Sequence, residues 1–186
     1  MKFNKSPLLF APILGVVMMF CLGMIFSGTV SLSMNGFAID KDGYLYVGKE
    51  KEIVVFNEGE IVRTISPKTS RGYQFTILNG EKILLSTSSV AYTMDLSGEV
   101  LSKEEDENIK IYDKLQREKS FFTAEDGTEY HSRLYWGRTQ ICQNDEVIYE
   151  MPLLDYIVRV LIVVVFIGLG VVLLTTFYPI LREKKR

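Results

Sequence analysis

Charge is missing from two long stretches of this 186-residue chain: residues 6–39 and residues 160–181 contain no Asp, Glu, Lys or Arg. Within the first, Leu8 to Phe26 reads LLFAPILGVVMMFCLGMIF; within the second, Val160 to Tyr178 reads VLIVVVFIGLGVVLLTTFY. A helix rises about 1.5 Å per residue, so each run spans roughly 28 Å, close to the thickness of a hydrocarbon core. The residues between them are too few to bury two such helices on every side. The β-branched second run could suit a strand in water. In lipid a lone strand leaves its backbone groups unpaired, and its length exceeds the usual strand. The expectation is a membrane protein with transmembrane helices over 8–30 and 156–178, a cytoplasmic N-terminus over 1–7 and a basic cytoplasmic tail over 179–186.

Histidine and cysteine are nearly absent. His131 is the single histidine, which excludes a His-rich metal site, and no G-x-S-x-G elbow accompanies it. No Walker phosphate loop occurs. Asp40-Lys41-Asp42-Gly43 looks like the start of a calcium loop, but the twelfth position holds Lys51 where an EF-hand needs Glu. A hairpin turn accounts for those residues better. Of the two cysteines, Cys21 lies in the first apolar run and Cys142 outside it, so the middle of the chain has no internal disulfide. It also lacks an N-x-S/T sequon, the single one being Asn4-Lys5-Ser6. No enzyme activity, metal or cofactor is expected, and a bacterial envelope protein fits.

The charges that are present set an orientation. Lys2 and Lys5 precede the first run, and Arg182, Lys184, Lys185 and Arg186 follow the second. Basic flanks mark the cytoplasmic side, so both termini are read as cytoplasmic and the middle as extracytoplasmic. Met34 to Pro152 holds 14 Lys and Arg against 21 Asp and Glu, a formal charge of −7. That balance agrees with export and argues against a nucleic-acid partner. The first run also fits a secretory signal with a weak cleavage site at Ser27-Gly28-Thr29. Its apolar core is longer than the usual 7–15 residues, which favours an uncleaved helix. Met18, Met19 and Phe20 before Cys21 do not suit a lipoprotein signal.

Residues 34–152 read as strands joined by hairpins. Six turn signals stand out: Lys41-Asp42-Gly43, Asn57-Glu58-Gly59, Asn79-Gly80, Leu96-Ser97-Gly98, Asp126-Gly127 and Asn144-Asp145. Gly43 to Gly59 is 16 residues, Gly80 to Gly98 is 18, and Gly127 to Asp145 is 18. Each interval holds two strands with one more on either side. The expectation is three four-stranded meanders, over about 36–66, 72–103 and 119–151, forming an all-β domain. Phe37, Phe75 and Phe122 would be equivalent in the first strands. Val62, Val100 and Val147 or Ile148 would be equivalent in the last.

Tandem four-stranded meanders are the pattern of propeller blades. AIDKDGYLYVGKEKEIVVFNEGEIV resembles a blade of the NHL or related β-propeller families, through Asp40, Gly43, Tyr44, Tyr46, Val54, Val55, Phe56, Gly59 and Glu60. The resemblance covers residues 36–66 well and the other two meanders poorly. Three blades are fewer than the four to eight of a closed propeller. The meanders could form a self-contained wedge or sandwich, share a six-bladed ring with a second chain, or meet a partner that covers their edges.

Four further features bear on function. Lys103 to Lys119 carries eleven charges and reads as a surface helix or loop, either a docking site or a solvated connector. Tyr130, Tyr135 and Trp136 form an aromatic patch that would suit a sugar ring or peptide, against the ordinary use of aromatics as strand filling. Asp155 and Arg159, four residues apart, would pair at the outer membrane interface. Ala11 and Gly15 offer small-residue spacing for helix contact, with Gly168 opposite. The expected role is a non-enzymatic membrane-anchored binding or scaffolding protein. The alternative is an accessory subunit of a larger membrane complex, recognised through its helices. The expected partners are the lipid bilayer and either a second copy or another membrane protein.

Overall fold

The computed structural model describes residues 10–67, 72–105 and 108–183, with side chains to residue 176. The described residues form three helices, α1 Phe10–Ser27, α2 Asn108–Glu118 and α3 Leu153–Glu183. They also form twelve strands: β1 Phe37–Ile39, β2 Leu45–Gly48, β3 Ile53–Asn57, β4 Glu60–Ile65, β5 Tyr73–Leu78, β6 Lys82–Thr87, β7 Ala91–Asp95, β8 Val100–Glu104, β9 Phe121–Thr123, β10 Glu129–Tyr135, β11 Arg138–Gln143 and β12 Glu146–Glu150. The chain divides into a helical unit, Met1–Val30 with Pro152–Arg186, and a β unit, Ser31–Met151.

In the helical unit, α1 and α3 are both long and apolar enough to cross a membrane. They pack on each other along one stripe. Cys21 and Val165 are buried, and Leu14 fits the notch at Gly168, where an added Cβ would lie 3.0 Å from Leu14 Cδ1. The expected small-residue contact is therefore half right: Gly168 is used, but a Cβ on Gly15 would meet nothing. Gly28, at φ 82°, stops α1 in the left-handed conformation that glycine takes at helix ends. The hydroxyls of Thr175 and Thr176 bond back to carbonyls one turn earlier, so no polar group is orphaned there. Only 6% of the apolar stretch of α1 and 11% of that of α3 is buried. A core helix of a soluble protein buries most of its surface; these do not.

In the β unit, each meander is one antiparallel sheet, β1-β2-β3-β4, β5-β6-β7-β8 and β9-β10-β11-β12. Each carries a bulge between its third and fourth strands, at Val55/Phe56, Thr93/Met94 and Ile141/Cys142. The extra residues are Val62, Leu101 and Ile148, which are thus the equivalent positions. Val100 and Val147, expected there from spacing alone, lie one residue away. The outer strands β4 and β8 are almost wholly exposed. A bulge on an edge strand twists it and hinders pairing with another chain.

The first sheet sits between the other two. Ala38, Tyr46, Ile53, Val55 and Ile65 face Tyr73, Phe75, Ile77, Ile83 and Leu85 of the second sheet. Phe37, Ile39, Leu45, Val47, Val54 and Phe56 face Tyr130 and Ile141 of the third. This explains why β2 and β3 are apolar at successive positions rather than alternately: both faces are buried. Strand β1 adjoins both β5 and β9, so the first strands of the three sheets lie together, and no ring closes. Helix α2 lies on the far face of the second sheet against β5, β6 and β7. There Leu115 is buried, and the Ser86 hydroxyl donates to the Asn108 carbonyl at 3.1 Å. The domain is therefore not all-β, and the charged segment holds a helix with a packed face.

Candidate functional site

Two features of the β unit bear on the expected site residues. At one end the first hairpins of all three sheets meet around a pocket of about 530 Å³, lined among others by Asp40, Lys41, Gly80, Phe122, Asp126 and Tyr130. The D-x-x-G sequence builds the first wall. Asp40 Oδ1 accepts from the backbone N–H groups of Asp42 and Tyr44, at 3.0 and 2.9 Å, while Gly43 closes the turn at φ 84°. Asp95-Leu96-Ser97-Gly98 repeats the geometry in the second sheet, with Asp95 Oδ1 accepting from the backbones of Ser97 and Glu99. In the third sheet Ala124 holds the equivalent position, and Asp126 reaches the Thr128 N–H instead. Lys41 joins two walls: its N–H donates to the Gly80 carbonyl at 3.3 Å, and its ammonium pairs with Glu81 at 2.8 Å. Their mutual hydrogen bond raises the Lys41 pKa and lowers that of Glu81. Both groups are exposed, so the pair adds little stability. Tyr130 closes the floor, with its hydroxyl pushed above the usual value by burial and then by Asp126. The polar rim and the Phe122–Tyr130 floor could hold a small polar molecule with an apolar face.

At the other end of β10, Tyr135 and Trp136 stand at the tip of the β10–β11 hairpin, their rings edge to face at a centroid separation of 6.5 Å. The structure thus divides the expected aromatic patch. Tyr135 and Trp136 are together and exposed, whereas Tyr130 belongs to the core five rungs away. Arg133 lies over the Tyr135 ring at 5.9 Å. His131 is half-buried on β10 opposite the buried Cys142. Among the described residues no group of three His, Cys, Asp or Glu side chains is arranged to hold a metal.

Comparison with known proteins adds little. No protein-family profile matches the chain. No curated protein matches it either. Among solved structures it is similar to a protein of unknown function from Bacteroides caccae, at 18% identity and a TM-score of 0.33. That match covers 65% of this chain and 46% of the other, so it spans less than half the length of the protein it resembles. Likeness at this level bears on neither fold nor function.

Two polar constellations were not read from the sequence. The buried Tyr46 hydroxyl donates to Asp40 Oδ2 at 3.0 Å and accepts from Arg63 at 2.6 Å, which fixes the D-x-x-G turn to the opposite edge of its sheet. On the outer face of the third sheet, Arg133 donates to Gln140, and Gln140 to Glu150, which also pairs with Arg138 at 2.5 Å. Placing the β10–β11 turn at Trp136-Gly137 would have brought Arg133 opposite Gln140, so that signal was available.

Proposed function

We propose that this chain is a two-pass membrane protein whose β unit lies outside the cytoplasm and serves as a non-enzymatic binding or scaffolding module. The observation that carries the reading is the exposure of α1 and α3. Phe10, Ile13, Val16, Met19, Phe20 and Phe26 on α1, and a matching run on α3, face outward. In water this surface would aggregate; in lipid it is the expected exterior of a spanning pair. Basic residues beyond both apolar runs support cytoplasmic termini. The blade-like meanders and the polar pocket where their first hairpins meet support binding as the role of the exported part.

The test combines location with exchange. Protease added outside intact cells should degrade the β unit and spare it when added to inverted vesicles; the opposite pattern defeats the orientation. In a second arm the two helices are replaced by unrelated spanning segments. Retention of co-purifying partners supports recognition by the β unit. Their loss, with partners kept when the helices alone are expressed, would instead make the chain an accessory subunit recognised in the membrane.

A further inference from the structure

Trp136 occupies an unusual conformation for its type. It is the first central residue of a two-residue turn, at φ 48°, followed by Gly137 at φ 81°. Such turns favour Asn, Asp or Gly, and a bulky side chain at positive φ is rare. Asn79-Gly80 and Asn144-Asp145 follow that preference; Glu58-Gly59 departs from it, but with a flexible polar side chain. Strain of this kind persists where the side chain is wanted in that place. What the turn presents is apolar: Leu134 is 69%, Tyr135 55% and Trp136 82% exposed.

The rungs below the tip show where the chain leaves the sheet. The Met151 N–H donates to the Thr139 carbonyl at 2.8 Å, and Arg138 Nη2 donates to the Met151 carbonyl at 2.7 Å. Strand β12 therefore leaves its sheet beside the β10–β11 turn and runs toward the tip. Leu153, where α3 begins, follows Met151 by two residues, about 7 Å of extended chain. Gly137 lies two residues beyond Thr139, about the same reach.

We propose that the Leu134–Tyr135–Trp136 tip seats in the headgroup region of the bilayer that α3 enters. This rests on reading α1 and α3 as membrane-spanning. Indole and phenol rings favour that zone because one part is apolar and another hydrogen-bonds. The Arg133 guanidinium lies over the Tyr135 ring at 5.9 Å and offers the tip a cation for lipid phosphates.

Trp136 is the only tryptophan, so its emission reports the tip alone. The full chain is reconstituted in vesicles of phosphatidylcholine and phosphatidylglycerol, with bromine carried near the headgroup or near the chain end. Expected are blue-shifted emission, stronger quenching by the shallow bromines than by the deep ones, and several-fold protection from aqueous iodide relative to the urea-unfolded chain. Red-shifted emission, open to iodide and untouched by bromine in a protein that resists alkaline extraction, overturns the proposal and leaves the membrane reading intact. Protection from iodide without bromine quenching also overturns it, and points to a protein covering the tip. Release of the chain by alkaline carbonate removes the membrane reading and this proposal with it.

Discussion

Gly59 and Gly80 provide a controlled test of how the sheets are joined. Each is the second central residue of a hairpin turn, at φ 85° and 58°. Alanine at either position should lose about 1–2 kcal/mol to left-handed backbone strain. The surroundings differ. A Cβ on Gly59 would meet nothing within 4 Å, whereas one on Gly80 would lie 2.8 Å from Lys41 Cβ and 3.0 Å from Lys41 N. The second contact is with backbone and cannot swing aside. Relief requires moving the β1–β2 hairpin, at an overpacking cost of about 1–3 kcal/mol. It also breaks the Lys41 N–H to Gly80 bond, worth about 1 kcal/mol. Gly80→Ala should thus be about 2–4 kcal/mol worse than Gly59→Ala. Asparagine separates the causes, because it tolerates positive φ yet carries a Cβ. Gly59→Asn should be nearly neutral, and Gly80→Asn should still cost about 2 kcal/mol. Urea unfolding of the reconstituted protein, followed by far-UV circular dichroism, measures all four variants. Equal midpoints for the two asparagine variants would mean that the β1–β2 and β5–β6 hairpins are not in contact, and the joint between their sheets would be refuted.

Three more tests follow from other parts of the β unit and the helix pair. Burial, and then the Asp40 carboxylate, push the Tyr46 hydroxyl up to about 12, so the folded chain keeps a proton that the unfolded chain loses near pH 10. Stability from this group is intact below pH 10 and falls as pH rises to 12, by at most about 3 kcal/mol; Tyr46→Phe should reduce that slope in urea midpoints measured against pH, and an unchanged slope counts against the assignment. Leu115→Ala should cost about 2–4 kcal/mol because the side chain is buried against the second sheet, while Ile109→Ala on the exposed side of α2 should stay within about 0.5 kcal/mol; a reversed order in thermal melts would place the other face of the helix on the sheet. Cys21 and Cys142 are both fully buried, so neither should react with a maleimide until the protein is unfolded, and rapid labelling of folded protein, read by intact mass, would contradict that packing.

The strands and most turns were legible because their signals are local. Six hairpins announce themselves through Gly, Asn and Asp at positions that need positive φ, and each of these turns is present. Of the middle hairpins, Lys49 to Glu52 and Thr87 to Val90 gave no such signal, and at Trp136-Gly137 the glycine was there but tryptophan replaces the usual first residue. The bulges were hidden for a related reason. One extra residue leaves the apolar pattern of β4, β8 and β12 readable in either register, so Val100 was aligned where Leu101 belongs. Tyr130 was grouped with Tyr135 and Trp136 on sequence proximity alone. A strand rises about 3.4 Å per residue, so five residues separate the buried floor of one pocket from the tip at the other end of the sheet.

The stacking order of the sheets was least legible, and it explains how three four-stranded sheets stand without closing a ring. A blade normally buries its two faces against neighbours on either side. Here the first sheet alone is treated so, between the second and the third, which accounts for its continuous apolar strands. Each flanking sheet keeps one face that a ring would cover. On the second, α2 takes the place of a neighbouring blade, seating Leu115 and capping Ser86. On the third, the Arg133–Gln140–Glu150–Arg138 ladder pairs the polar groups of the outer face among themselves, although Gln140 and Cys142 there are buried. A ring shared by two chains would need the outer face of one chain's second sheet to meet the outer face of the other's third, and α2 already occupies the former. The edge strands that remain, β4, β8 and β12, each contain a bulge, which twists them away from a regular pairing edge. A three-sheet wedge can therefore satisfy much of its own faces and edges, and the first-hairpin pocket and the Trp136 tip are among the surfaces that this packing does not account for.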